Sequence, residues 1–245
     1  MESAEQAVVT EEAGPIMGFW GRLGNIFGSP TRAFEAIDNK PTWVVPLIIT
    51  ILVTVIFTQL TFPIIMQSQL DRLRSNPDIP QERLEAIENQ FSENVQTQRI
   101  VTFVSQVVAT PIIYLFFAGV FYLVGTLILG GDTSYKKVLS VWSWSGLILT
   151  VSAIIGFLLT MVKKTMGTSL SLALLLPADS AGTRLHTLLS NFDFFVIWFL
   201  IVFATGFGII YKFGKGKAFT AVGIMWVIWI VLSVALSGVF RQFGV

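Results

Sequence analysis

Residues 188–231 read LLSNFDFFVIWFLIVFATGFGIIYKFGKGKAFTAVGIMWVIWIV. Two apolar runs, 192–211 and 218–240, flank a tight turn that carries Lys212, Lys215 and Lys217. Each run reaches the roughly 20 apolar residues a helix needs to cross the hydrocarbon of a bilayer. Neither holds an ionisable side chain in its interior, and Asp193 stands at the very start of the first, where a carboxylate favours a helix N-terminus. The stretch reads as two membrane-crossing helices joined by a short basic turn.

Three more runs of the same kind lie upstream, at 43–66, 103–130 and 139–162. The expected fold is therefore an all-α integral membrane protein with five transmembrane helices. Pro46, Pro63 and Pro111 fall inside spans, where proline kinks a helix or marks its first turn. Trp43, Trp142, Trp144, Tyr211 and Phe240 lie near span ends, where aromatic rings anchor at the bilayer surface. Ser152 and Gly156, Ala204 and Gly208, and Ser233 and Ser237 form small-residue pairs that let helices approach closely.

Composition agrees with that reading. Of 245 residues 53% are hydrophobic and 13% charged, with 21 Phe, whereas soluble domains carry about 25% charged residues. Mean hydropathy is +0.73. An ordinary soluble enzyme and a disordered chain are excluded. Sixteen Lys and Arg against fifteen Asp and Glu leave a net charge of +1, too little to hold nucleic acid. The chain has no Cys, which removes disulfides, thiolate metal sites and cysteine nucleophiles. Its one His, His186, removes any multi-histidine metal centre. No metal or cofactor is expected.

Residues 1–14 hold Glu2, Glu5, Glu11 and Glu12 without a basic residue and are expected to form a disordered acidic tail. Residues 15–245 read as one membrane domain. Phe19, Trp20, Leu23, Ile26 and Phe27 recur at helical spacing, too few to span. Ser29-Pro30 then gives an N-cap followed by proline at the first helical position, ahead of Ala33, Phe34 and Ile37. Two amphipathic helices are expected. They lie on the membrane with Phe19, Trp20, Phe27 and Phe34 as interfacial anchors, or they form a packing collar around the bundle. In the 67–102 loop, a third amphipathic helix starts at Asp78 and Pro80, with Leu84, Ile87, Phe91 and Val95 as its apolar stripe. It is expected to pack on its own bundle and run on into the second span. The apolar run 170–176, stopped by Pro177, is too short to cross and reads as re-entrant or interfacial.

Membrane enzymes and pumps commonly carry ionisable residues at depth, and these spans carry none. Gln59 and Gln106 are the main intramembrane polar positions, joined by Thr54, Thr58, Thr110, Ser152 and Thr205. Hydrogen bonding between helices is their expected role, ahead of a transport path. Asp179 and Asp193 flank His186, with Ser180 and Ser190 nearby, but no Gly-x-Ser-x-Gly elbow accompanies them. No catalytic residue is assigned, and no enzymatic activity is expected.

The Asp-Phe-Phe-x-Ile-Trp entry at 193–198, the exit with Gly206 and Gly208, the basic turn ending Lys217-Ala218 and the Trp-rich last span resemble the Yip domain family. These are the Ypt/Rab-interacting-protein relatives, small membrane proteins with five spans. The phrase FGSPTRAFEAIDNKPTWVVPL at 27–47 is similar to the same family's entry into its first span. The resemblance covers about residues 19–240. Eukaryotic members carry an Asp-Leu-Tyr-Gly-Pro stretch in a longer cytosolic region tied to Rab GTPase binding, and this chain lacks it. The resemblance thus implies a bacterial-type member without Rab binding. It implies a non-enzymatic protein that binds membrane lipids, protein partners or a second copy of itself, or that organises membrane components. A small-solute transporter or channel component is the alternative. The expected location is the bacterial cytoplasmic membrane. Basic residues divide equally between the two sides, but the Lys212–Lys217 turn concentrates three in a short loop, so the N-terminus is expected to be cytoplasmic.

Overall fold

A computed structural model describes residues 17–76, 79–163, 170–177, 180 and 183–242 of the chain. The acidic tail at 1–14, Asp78 and Asp179 lie outside them. Two short helices open the structure, α1 (Phe19–Gly28) and α2 (Pro30–Asn39). The first crossing is α3 (Val44–Arg74), followed by α4 (Gln81–Glu93) on the far side. The chain returns through α5 (Val95–Leu123), which ends in a π-turn at Val124–Ile128. It crosses again as α6 (Tyr135–Ser145) and α7 (Leu147–Lys163), which meet at Gly146. A 3-10 turn (Leu172–Leu175) and α8 (Arg184–Ser190) precede α9 (Phe194–Tyr211) and α10 (Lys215–Gln242). Among the described residues five helical spans are long and apolar enough to cross a membrane, as the sequence indicates.

Helix ends follow local chemistry. Asp193 accepts from the backbone N–H of Phe195 at 2.8 Å and of Val196 at 3.3 Å, capping α9 as its position foretold. At the other end of α9, Lys212 turns into the left-handed region with φ 54°, and the chain re-enters a helix within three residues. Pro30 takes the first turn of α2, but the Ser29 side chain makes no cap bond. Its backbone N–H closes α1 instead, on Asn25 O at 2.8 Å. Pro63 and Pro111 sit inside helices that continue past them.

α9 forms the axis of the bundle, with α2, α6, α7 and α10 packed around it. Phe199, Phe203 and Phe207 follow one another along its face with ring centroids 5.9 Å apart at each step. Beside that row α9 is opened by Gly206, where a Cβ would come within 2.6 Å of Val141 and 2.9 Å of the Phe34 ring. Into that gap α2 inserts Phe34, which is fully buried together with Ala33 and Ile37. This settles the open alternative for α2. It belongs to the protein core, and Phe34, expected as an interfacial anchor, docks helix on helix instead. The physical reason is the missing side chain at Gly206, which makes a protein groove a better partner than lipid for an aromatic ring.

Other expectations change in the same way. Trp144 and Tyr211 are interior rather than interfacial. The Trp144 Nε1–H donates to Thr42 O at 2.7 Å, and Tyr211 fills the space that the absent side chains of Gly125 and Gly131 leave. Of the small-residue pairs, Gly208 brings α9 to α10, with Ala218 Cβ 3.2 Å from where its own Cβ would be, but Gly156 has no close neighbour. α4 is a separate helix, broken from α5 at Asn94, and its stripe of Leu84, Ile87 and Phe91 is half-buried. The short apolar run near 170–176 does not cross. Ser171 bridges Asp193 and Leu172 N–H donates to Phe192 O at 3.1 Å, so it closes over the start of α9.

Candidate functional site

The α3 helix carries two opposed stripes. Ile48, Leu52, Ile56 and Leu60, each four residues on from the last, are about half exposed and face outward. Thr50, Thr54, Thr58 and Thr61 run along the inner side. The hydroxyls of Thr50, Thr54 and Thr61 each donate to a carbonyl one turn back, at 3.1, 2.8 and 2.8 Å. Thr50 Oγ1 meets Thr150 Oγ1 of α7 at 2.9 Å and accepts from Tyr114 OH of α5 at 3.4 Å, tying three spans at one level.

Below that knot the inner stripe borders a recess of about 210 Å³. Thr54, Thr58 and Thr61 supply one wall, Gln106 of α5 a second and Thr160 of α7 a third. Phe57 and Phe157 stack face to face beside it, with centroids 4.3 Å apart, and Ala153 completes the apolar side. Among the described residues none that lines it is charged. Gln106 Nε2 donates to Thr58 Oγ1 at 3.1 Å, but Gln106 Oε1 is buried without a hydrogen-bond partner. Turning the amide over exchanges the two roles and still leaves one end unmet. A buried polar group in that condition costs roughly 1–3 kcal/mol.

Gln59, the other intramembrane glutamine, lies elsewhere. Arg99 Nε donates to its Oε1 at 2.9 Å and Arg99 Nη2 to its backbone carbonyl at 3.2 Å, while Gln59 Nε2 donates to Arg99 O at 3.3 Å. The two glutamines thus do not share a site. Gln59 is held in a reciprocal clasp, because α5 begins at Val95 and brings Arg99 alongside α3. Sequence reasoning missed Thr50, Thr61, Thr150, Thr160 and Tyr114. The spacing of threonines along 50–61 was the available signal for Thr50 and Thr61.

A second polar cluster holds α1 and α2 together. Arg22, only 4% exposed, donates from Nη1 to Lys40 O at 2.9 Å and Thr42 Oγ1 at 2.7 Å, and from Nη2 to Ala36 O at 3.1 Å. The carbonyls at the end of α2 carry the negative end of its dipole, so they serve a guanidinium in place of a carboxylate. Burial lowers the Arg22 pKa from its ordinary value, yet an arginine stays charged. Among the described residues near His186, Ser190 Oγ lies 3.4 Å from its Nδ1. The Ser190 hydroxyl donates to His186 O at 2.7 Å, and Asp193 is engaged by the cap of α9. Of the proposed anchors, Trp20 is 79% exposed, whereas Phe27 leans on Trp198 at 5.8 Å and Phe19 on Trp144 at 5.7 Å.

A family model described as the Yip1 domain matches residues 24–236. A Bacillus subtilis protein described as membrane protein YknW is 27% identical over 211 residues, which cover 83% of this chain and 86% of that one. No solved structure matches.

Proposed function

Because the chain belongs to the Yip1 domain family and is a multi-pass membrane protein, we propose that it works by binding within the bilayer, without catalysis. One observation carries this reading. Only 11% of the most apolar stretch of the α5 span and 17% of that of α10 are buried in the protein, against 56% for α9. Two of five spans therefore present their faces outward, to lipid, to a partner protein or to a second copy. Meanwhile several polar groups of the spans bond across helices, as in Thr50 with Thr150 and Gln59 with Arg99, and many others bond to carbonyls of their own helix, as Thr110 and Thr205 do. That supports a closed bundle rather than a conducting one.

The test is co-purification after crosslinking in the native membrane, with bound lipid analysed in the same sample. A stoichiometric protein or an enriched lipid is the expected result. Turnover of a substrate by the purified protein, lost on changing one polar residue, overturns it. A small-solute path is the second reading, favoured by the polar recess alone, and liposome flux unchanged by Gln106→Leu removes it.

The proposed location is the bacterial cytoplasmic membrane, with α1, α2 and the Lys212–Lys217 turn on the cytoplasmic side. The chain has no cysteine, so single cysteines at Gly214 and Glu85 can be labelled with an impermeant maleimide. Glu85→Cys is expected to label from outside the cell and Gly214→Cys only after lysis.

A further inference from the structure

We propose that the recess bordered by Thr58, Gln106 and Thr160 is a lateral binding site for the uncharged, hydroxyl-bearing head of a membrane lipid, of the diacylglycerol type. The inference rests on the binding reading above and names the ligand class for one site within it.

Four observations converge. α5 and α7 each pack on α3 rather than on each other, so the side of the recess between them is closed by neither helix. On the Gln106 side of α5, Phe103 one turn back and Ile113 two turns on are about half exposed. An occupant arriving there comes from the bilayer. The lining is hydroxyl and amide with no charge among the described residues, which disfavours a phosphate or ammonium head and suits a neutral alcohol. A turn of the Gln106 side chain brings its partnerless amide oxygen to such a hydroxyl, and the Thr58 hydroxyl can donate to the same oxygen while accepting from Gln106 Nε2. The volume of about 210 Å³ accommodates a glycerol-sized group. The acyl chains then lie outside, along the exposed faces of α5 and α7, beside the stacked Phe57 and Phe157.

The experiment uses the full chain in phosphatidylcholine vesicles containing a photoreactive diacylglycerol, with crosslinked peptides located by mass spectrometry. Labelling is expected on α5 and α7 around Gln106 and Phe157, displaced by unlabelled diacylglycerol and not by added phosphatidylcholine. Gln106→Leu is expected to reduce it roughly fivefold, the effect of losing one net hydrogen bond. Ala153→Leu fills the recess while leaving its polar groups in place and is expected to abolish labelling there. Gln59→Leu, which breaks the Arg99 clasp outside the recess, is expected to leave it intact. Matched unfolding midpoints show that each variant is folded. Full labelling in folded Ala153→Leu overturns the proposal, as does displacement by free glycerol at equal potency, which assigns the recess to a soluble polyol. Either failure leaves the wider reading to be decided by co-purification from native membrane.

Discussion

Arg22 Nη1 and Thr42 Oγ1 stand 2.7 Å apart across twenty residues of sequence, and the same Thr42 receives the indole N–H of Trp144 on its carbonyl at 2.7 Å. One threonine in the link before α3 thereby joins α1 to α6. The charge that secures it has no carboxylate partner among the described residues, only carbonyls and a hydroxyl. Removing the guanidinium is expected to destabilise the protein by about 3 kcal/mol, since hydrogen bonds to charged groups contribute roughly 1.5–3 kcal/mol each and do not simply add. Arg22→Lys keeps the charge but loses the fork, and is expected to recover only part. Unfolding midpoints in detergent decide it, with the exposed Arg32→Ala as control. Equal effects at Arg22 and Arg32 would contradict the clamp.

Gly206 and Gly223 make a pair with opposite expected signs. A Cβ on Gly206 meets Val141 at 2.6 Å and Phe34 at 2.9 Å, while one on Gly223 meets nothing within 4 Å. Gly206→Ala is expected to cost about 1–3 kcal/mol through overpacking against α2. Gly223→Ala is expected to gain about 0.5–1 kcal/mol from helix propensity. Combining Gly206→Ala with Val141→Ala restores part of the loss if the clash is the cause.

The five spans were legible because each apolar run is long enough to exclude other readings. Their ends were not. α3 stays helical through Gln67–Arg74 and α5 starts at Val95, since a helix continues past the point where its side chains turn polar. That overhang is what carries Arg99 to Gln59, a pairing between two helices that the expected run-on of the loop helix into the second span does not announce. The burial of α2 was hidden for another reason. Ala33, Phe34 and Ile37 make the same apolar stripe whether they meet lipid or protein, and the deciding residue, Gly206, lies far along the chain. Arg22 was read as a charge on one side of the membrane because its acceptors, fourteen to twenty residues away, are backbone carbonyls and one hydroxyl that no pattern announces. In the recess, Thr54, Thr58 and Gln106 were recognised as polar positions within spans, but their meeting with Thr160 of α7 needed the fold.

The α3–α4 hairpin outside the membrane carries a pH signature. Arg74 Nε donates to Glu88 Oε1 at 2.7 Å, and that bond holds the Glu88 carboxyl below its ordinary pKa while raising that of Arg74. A carboxylate whose pKa falls on folding contributes above its unfolded value and loses that contribution as pH drops through the folded one. Protection of α4 amides from hydrogen exchange is therefore expected to hold at neutral pH. It begins to fall below the free glutamate value of about 4.3. Glu88→Gln at neutral pH is expected to behave like the acidified protein, and added salt to weaken the pair. Exchange in α4 that ignores both acid and the substitution removes the pair from the account.

Trp20, on the outer side of α1, reports what that helix meets. In a variant that retains Trp20 and replaces the other six tryptophans, its fluorescence is expected to be quenched by brominated lipid. Phe34→Ala, which undoes the docking of α2, is expected to shift the emission. Quenching by an aqueous agent alone would place α1 in solvent.

The spans differ in length more than in composition. α9 has 18 residues, about 27 Å, which matches the hydrocarbon of an ordinary bilayer with no tilt to give up. The α5 span with its π-turn runs over 34 residues, about 50 Å, and must lean or project. Thickening the bilayer lets the long helices stand straighter, whereas the short axial one has no length in reserve. Membrane thickness therefore acts on this bundle as a shear between its centre and its rim. The walls of the polar recess belong to the rim.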